Sequence, residues 1–104
     1  MNYRVSYAPA ADKQLVEIFN YLADAADPVT AARYTEQIVQ QCESLRNFPI
    51  RGVPRDNLMP GLRVTHYNRT AILFTIVDKS VLVLGFYHGG QNYEANFILA
   101  PNTP

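Results

Sequence analysis

The sequence predicts an α+β domain: an N-terminal strand, an antiparallel helical hairpin and a three-stranded antiparallel meander, with the helices packed on one face of the sheet. Three observations predict it. Two consecutive stretches near the N-terminus place apolar residues at helical spacing, three strand-like runs with short polar links fill the second half, and a brief alternating stretch opens the chain. At 104 residues, 48% of them hydrophobic, the chain suits a single domain with one core.

Tyr3, Val5 and Tyr7 alternate over residues 3 to 7, the pattern of a short strand. Pro9 suits a first helical position, and over Ala10 to Ala25 the residues Leu15, Ile18, Phe19 and Leu22 fall at i, i+3, i+4 and i+7. Asp12 lies in the first turn, where the helix dipole favours an acid. Asp27-Pro28 reads as a cap and the first residue of a second helix, in which Ala31, Tyr34, Ile38, Cys42 and Leu45 repeat until Pro49 and Gly52 stop it. The link between these helices is short enough to force a hairpin. Pro49, Gly52, Pro54, Pro60 and Gly61 then predict an irregular loop from Phe48 to Gly61. Strand-like runs follow at Leu62 to Tyr67, Ala71 to Val77 and Val81 to His88, joined by Asn68-Arg69-Thr70 and Asp78-Lys79-Ser80. Residues 1–91 form the expected domain, and residues 92–104 an expected loose tail.

Composition narrows the function. Nine Lys and Arg balance nine Asp and Glu, so no overall field draws the chain onto nucleic acid or an anionic membrane, and strong direct nucleic-acid binding is not expected. The single cysteine, Cys42, sits among apolar neighbours and reads as a buried thiol. The N-terminus carries no apolar targeting segment, and no apolar run approaches the roughly 20 residues that span a bilayer. A cytoplasmic setting is the expectation. His66, His88 and one cysteine give no metal-ligand spacing, so neither a metal nor another cofactor is expected.

Read as strict alternation, Ile72, Phe74 and Ile76 oppose Ala71, Leu73 and Val77, and Leu82, Leu84 and Phe86 oppose Val81, Val83 and Tyr87. Both faces of the sheet are therefore apolar. Two helices cover one, which leaves the other for the tail, with Tyr93, Phe97, Ile98 and Leu99, or for another chain. Polar residues gather near strand ends and loops: Arg51, Arg55, Arg63, His66, Tyr67, Arg69, Tyr87, His88 and Gln91. Converging on that face, the arginines would hold a phosphate or carboxylate while His or Tyr moved a proton. Each of them singly also suits a solvated or merely packing role.

Five blocks carry a resemblance: Val5 to Asp12, Ile18 to Ala23, Leu45 to Arg55, Pro60 to Arg63, and Val81 to Gln91 with its Phe86-Tyr87-His88-Gly89-Gly90-Gln91 ending. In this order and spacing they resemble toxins of the RelE/ParE superfamily, closest to the ParE subgroup. The resemblance implies a RelE/ParE-like fold and a growth-arresting toxin of a type II toxin-antitoxin system, of the kind that stabilises plasmids. The antitoxin's C-terminal segment would wrap the toxin in a hetero-oligomer.

RelE-like members cut mRNA on the ribosome with a set of basic residues, an arginine at the start of the third strand and a late His, Arg or Tyr. ParE-like members poison DNA gyrase and lack that set. Here Arg63 and His88 match positions of the pattern, but the tyrosine-arginine pair that opens the third strand falls at Ala71-Ile72. That departure removes the group best suited to stabilising charge on a phosphate. The resemblance thus implies a non-enzymatic gyrase inhibitor, with Arg55, Arg63, His66, His88 and Gln91 as contacts to target or antitoxin. The alternative is an mRNA endonuclease using Arg63, Arg69, Tyr87 and His88.

Overall fold

The computed structural model describes residues 2–89. Gln91 and the expected tail lie outside the described residues. The elements run β1 (Arg4–Tyr7), α1 (Pro9–Ala25), α2 (Pro28–Glu43), a 3-10 turn (Ser44–Arg46), β2 (Val53–Pro54), β3 (Arg63–Tyr67), β4 (Thr70–Val77) and β5 (Ser80–His88). They form one five-stranded sheet in the order β1-β5-β4-β3-β2, in which β1 pairs parallel to β5 and every other pair is antiparallel.

Local chemistry places the helices. Pro9 and Pro28 each open one, where a missing N–H costs nothing. Only Ala26 and Asp27 separate the helices, so they fold back on each other. Asp27 accepts bonds from the Thr30 amide at 2.8 Å and the Thr30 hydroxyl at 2.9 Å. The amide bond, then the hydroxyl bond, hold its carboxyl below its ordinary value. A folded-state value below the unfolded one stabilises the fold at pH above about 4 and loses that effect as pH falls through the folded value. Asp27→Ala is therefore expected to lower Tm at pH 7, with the gap to the parent chain narrowing below about pH 4. A pH-independent gap in thermal melts would rule this out.

The second helix ends earlier than its apolar repeat predicts: α2 stops at Glu43, and Leu45 is buried from a 3-10 turn instead. A tighter turn carries the same side chain to the core, so the spacing alone does not mark the change.

The loop expected at residues 48–61 contains a strand. Val53 and Pro54 pair with Val64 and Arg63, and Gly52 turns into that pairing at φ 78°. Two residues are too few for a period-2 signal, and proline is tolerated because the strand is an edge. The β3–β4 and β4–β5 hairpins turn on two residues each, opened by Asn68 (φ 50°) and Asp78 (φ 56°), residue types that tolerate left-handed backbone.

The strict alternation expected in β5 is interrupted. Leu73 pairs with Gly85 but Phe74 pairs with Val83, so Leu84 is an extra residue, a β-bulge. Val81 and Val83 consequently share a face with Phe86 and His88, and that face is the helical one. Ile72, Val83 and Phe86 pack there against Ala11, Ile18, Ile38 and Cys42, and Leu45, Phe74 and Val81 extend the core. Cys42 is fully buried, and burial, then the Glu43 carboxylate, push its thiol up to about 12, so it stays protonated and inert at neutral pH.

The opposite face is not left to a tail or partner alone. The segment between β2 and β3 folds back over it, seating Leu58 and Leu62 against Val64, Ala71 and Leu73, with Met59, Leu84 and Tyr87 at the margin. Hydrogen bonds tie that segment down: Arg55 donates its amide to Leu62 at 2.8 Å, and Asp56 accepts from the Gly61 amide at 2.8 Å. Punctuation by proline and glycine hides the two leucines that make the loop a lid for the sheet.

Candidate functional site

Where β1 ends, β5 runs on beside α1. The residues of α1 that face it, Gln14, Glu17, Ile18 and Tyr21, recur at helical spacing and form one wall of a cleft of about 430 Å³. Phe86, His88, Gly89 and, from the β3–β4 turn, Arg69 form the other. Gln14 ties the walls together by accepting the Phe86 amide at 2.8 Å. Gly85 permits this approach, since a Cβ there would lie 2.7 Å from the same Gln14 oxygen.

His88 is the most constrained polar group of the cleft. Its Nδ1 lies 2.8 Å from the hydroxyl of fully buried Thr70, which lies 2.9 Å from the Tyr34 hydroxyl, which donates to the Tyr67 carbonyl at 3.3 Å. A carbonyl only accepts. The arrangement that gives each of these three contacts a proton therefore runs from Nδ1–H through Thr70 and Tyr34 to Tyr67, an assignment of tautomer from the network. Rings complete the enclosure: Tyr34 stands edge-on to His88 at 5.5 Å and to Tyr67 at 5.1 Å, and Tyr21 lies tilted to His88 at 5.9 Å.

Burial first, and the Arg69 guanidinium second, hold the His88 imidazole below its ordinary value of 6.5. The ring is neutral at pH 7. An NMR titration is expected to place its midpoint below 6.5, and Arg69→Ala to raise it only part of the way, because desolvation is the larger cause. A midpoint above 6.5 in the parent chain would contradict this electrostatic account.

The residues singled out in the sequence do not converge. Successive strand residues face opposite ways, so Tyr87 and its paired neighbours Ala71 and His66 lie on the face away from the helices, while His88 lies under them. Arg63 sits four positions from the Tyr67–Thr70–His88 row, roughly 13 Å along the strand. Its guanidinium is committed to backbone: Nε donates to the Arg51 carbonyl at 3.0 Å and Nη2 to the Gly52 carbonyl at 3.3 Å. Arg51 in turn donates to Ser44 at 2.7 Å and lies 5.6 Å from the Phe48 ring centre. Arg55 is half-buried beside the lid segment. Among the described residues, Arg69 and His88 alone of the nuclease candidates share a cleft.

Sequence reasoning missed Glu17, Tyr21, Tyr34 and Thr70 as site residues. Glu17 and Tyr21 stand at i and i+4 beside Ile18, a signal that a count of apolar positions alone passes over. A second, apolar groove of about 380 Å³ runs along the outside of the helical hairpin, lined by Leu15, Val16, Phe19, Ala32 and Val39. Phe19, expected in the core stripe, lines it instead. Among the described residues, no group of three or more His, Cys, Asp or Glu is placed to hold a metal ion, and no helix is long and apolar enough to cross a membrane.

Comparison with known proteins adds the family. The fold is similar to that in a structure of the chromosomal ParDE toxin-antitoxin system of P. aeruginosa, with a TM-score of 0.74 at 19% identity over 83% of this chain and 95% of that one. It is similar to a chain of the RelBE2 toxin-antitoxin complex of Mycobacterium tuberculosis, with a TM-score of 0.63 at 17% identity over 86% and 100%. It also matches an E. coli RelE toxin mutant in the free state, with a TM-score of 0.69 at 12% identity over 98% and 99%. No curated protein matches the sequence. Residues 5–93 match the family described as "ParE toxin of type II toxin-antitoxin system, parDE", which is nearly the whole chain, and the protein belongs to that family of toxins.

Proposed function

We propose that this toxin inhibits DNA gyrase by binding rather than by catalysis, and that a cognate antitoxin silences it. One observation carries the choice: Arg63 is held on the Arg51 and Gly52 carbonyls at the far end of the sheet from His88. A ribonuclease of this size needs cations and a proton-transfer group gathered around one phosphate. Here the cleft that holds His88 has Arg69 as its one cation among the described residues, faced by Glu17. The neutral, network-bound imidazole is a poor anchor for a phosphate. The outer groove at Leu15, Val16, Phe19 and Val39 suits an amphipathic segment of an antitoxin.

Induced expression is expected to arrest growth with an SOS response and intact transcripts, and the purified chain to block supercoiling by gyrase. Co-expression with the antitoxin would relieve both. Translation-dependent cleavage of mRNA, lost on His88→Ala, would replace this reading with the endonuclease one. Expression with no effect on growth would favour an inactive chain that only sequesters antitoxin.

A further inference from the structure

We infer that the cleft between α1 and the end of β5 is a binding site for a single guanine nucleotide. The inference is independent of gyrase inhibition, and its test reads binding alone.

The cleft carries charges of both signs that are not used on each other. Glu17 and Arg69 line opposite walls, and among the described residues neither makes an ion pair or a side-chain hydrogen bond. Two opposite charges across one cleft, left unpaired, suit a ligand with a donor edge at one end and an anion at the other. Tyr21 supplies the third requirement. Tyr21 is 61% exposed although it stands at the cleft wall and its ring lies tilted to His88 at 5.9 Å, which leaves aromatic surface against which a planar ring would stack. Ile18 and Phe86 give an apolar floor.

Guanine matches this set best among the bases. Its N1–H and N2 amino group present two adjacent donors to one carboxylate, where adenine presents an acceptor at N1. A phosphate matches the Arg69 guanidinium in shape and charge. The volume of about 430 Å³ lies in the range of small-molecule sites and accommodates one mononucleotide. The zero net charge of the chain argues the same way, since a strand-tracking surface would need a cationic stripe.

The experiment titrates the full chain, labelled with ¹⁵N, with GMP, AMP, guanosine and a single-stranded RNA tetramer containing one guanosine. GMP is expected to give saturable shifts at Tyr21 and His88, with half-saturation in roughly the micromolar to millimolar range. AMP should bind about tenfold more weakly or worse. Glu17→Gln should abolish the preference for GMP over AMP, Arg69→Ala should abolish the preference for GMP over guanosine, and Tyr21→Ala should weaken GMP about fivefold or more. Circular dichroism checks that each variant keeps its fold. A tetramer binding tenfold tighter than GMP would identify a nucleic-acid strand as the source of the guanosine, and equal or weaker binding a free nucleotide; both support the site. No saturable shift with GMP, equal binding of AMP and GMP, or unchanged affinities in Glu17→Gln and Arg69→Ala would each overturn it.

Discussion

Phe74→Ala is expected to cost about 3–5 kcal/mol of folding stability. Phe74 is fully buried, and it sits where Leu45 of the 3-10 turn, Val81 of β5 and the half-buried Ile76 meet. Deleting the ring opens a cavity in a part of the core that the 3-10 turn, β5 and, through Val5, β1 enclose, so no single one closes it by a small shift. Against a total of about 5–15 kcal/mol for a domain of this size, that is a large share. In urea the midpoint should fall by roughly 2 M or more with the slope preserved. Val77→Ala is the internal comparison: Val77 lies on the same strand but is 53% exposed, and its loss should stay within about 0.5 kcal/mol. Equal effects at the two positions would mean that Phe74 does not fill the space assigned to it.

The second large effect is expected at Gly52. A Cβ there would lie 2.3 Å from the Val64 carbonyl oxygen and 2.8 Å from its carbon, both backbone atoms that cannot rotate away, and the residue already stands at φ 78°. Gly52→Ala is therefore expected to cost about 2–4 kcal/mol, the sum of a left-handed backbone penalty and a forced separation of strands. Because β2 is the edge strand, relief comes by peeling β2 from β3. That movement would also detach the Arg51 and Gly52 carbonyls from the Arg63 guanidinium. Tm should fall by roughly 8–20 °C. The Arg55 amide, bonded to the Leu62 carbonyl beside this strand pair, should exchange faster with solvent. A melt shifted by less than about 2 °C with the Arg55 amide still protected would reject the close approach.

The helices and the three long strands are readable in the sequence because each repeats its period often enough to be seen. Pro9, Asp27 and Pro28 mark the helix starts by chemistry that needs no tertiary contact. What escapes depends on few residues or on distant ones. β2 is two residues long, so its pairing rests on Gly52 and on Val64 rather than on a pattern of its own. Leu58 and Leu62 cover the second face of the sheet, yet in sequence they stand between Arg55 and Arg63 with Pro60 and Gly61 interrupting them. The cleft is hidden for a related reason. His88 and Arg69 stand out as polar residues near strand ends, but the rings that enclose His88, Tyr21 and Tyr34, come from helices more than 50 positions before it, and Tyr34 reads there as one more apolar position.

Leu84 resets the alternation of everything that follows it in β5. The hairpin from Asp78 fixes the first half of the strand against β4, and the residue that has no opposite number then shifts the odd-even pattern, so that Phe86 and His88 take the side already held by Val81 and Val83. Deleting that one position would place Val83 and Gly85 opposite Phe74 and Leu73 in consecutive register, so the ladder would run on without a bulge while Phe86 and His88 kept the helical side and Tyr87 the lid side. The bulge thus makes this point of the strand tolerant of a one-codon change in length, because the extra residue is absorbed locally and the chemistry presented on either surface stays where it is.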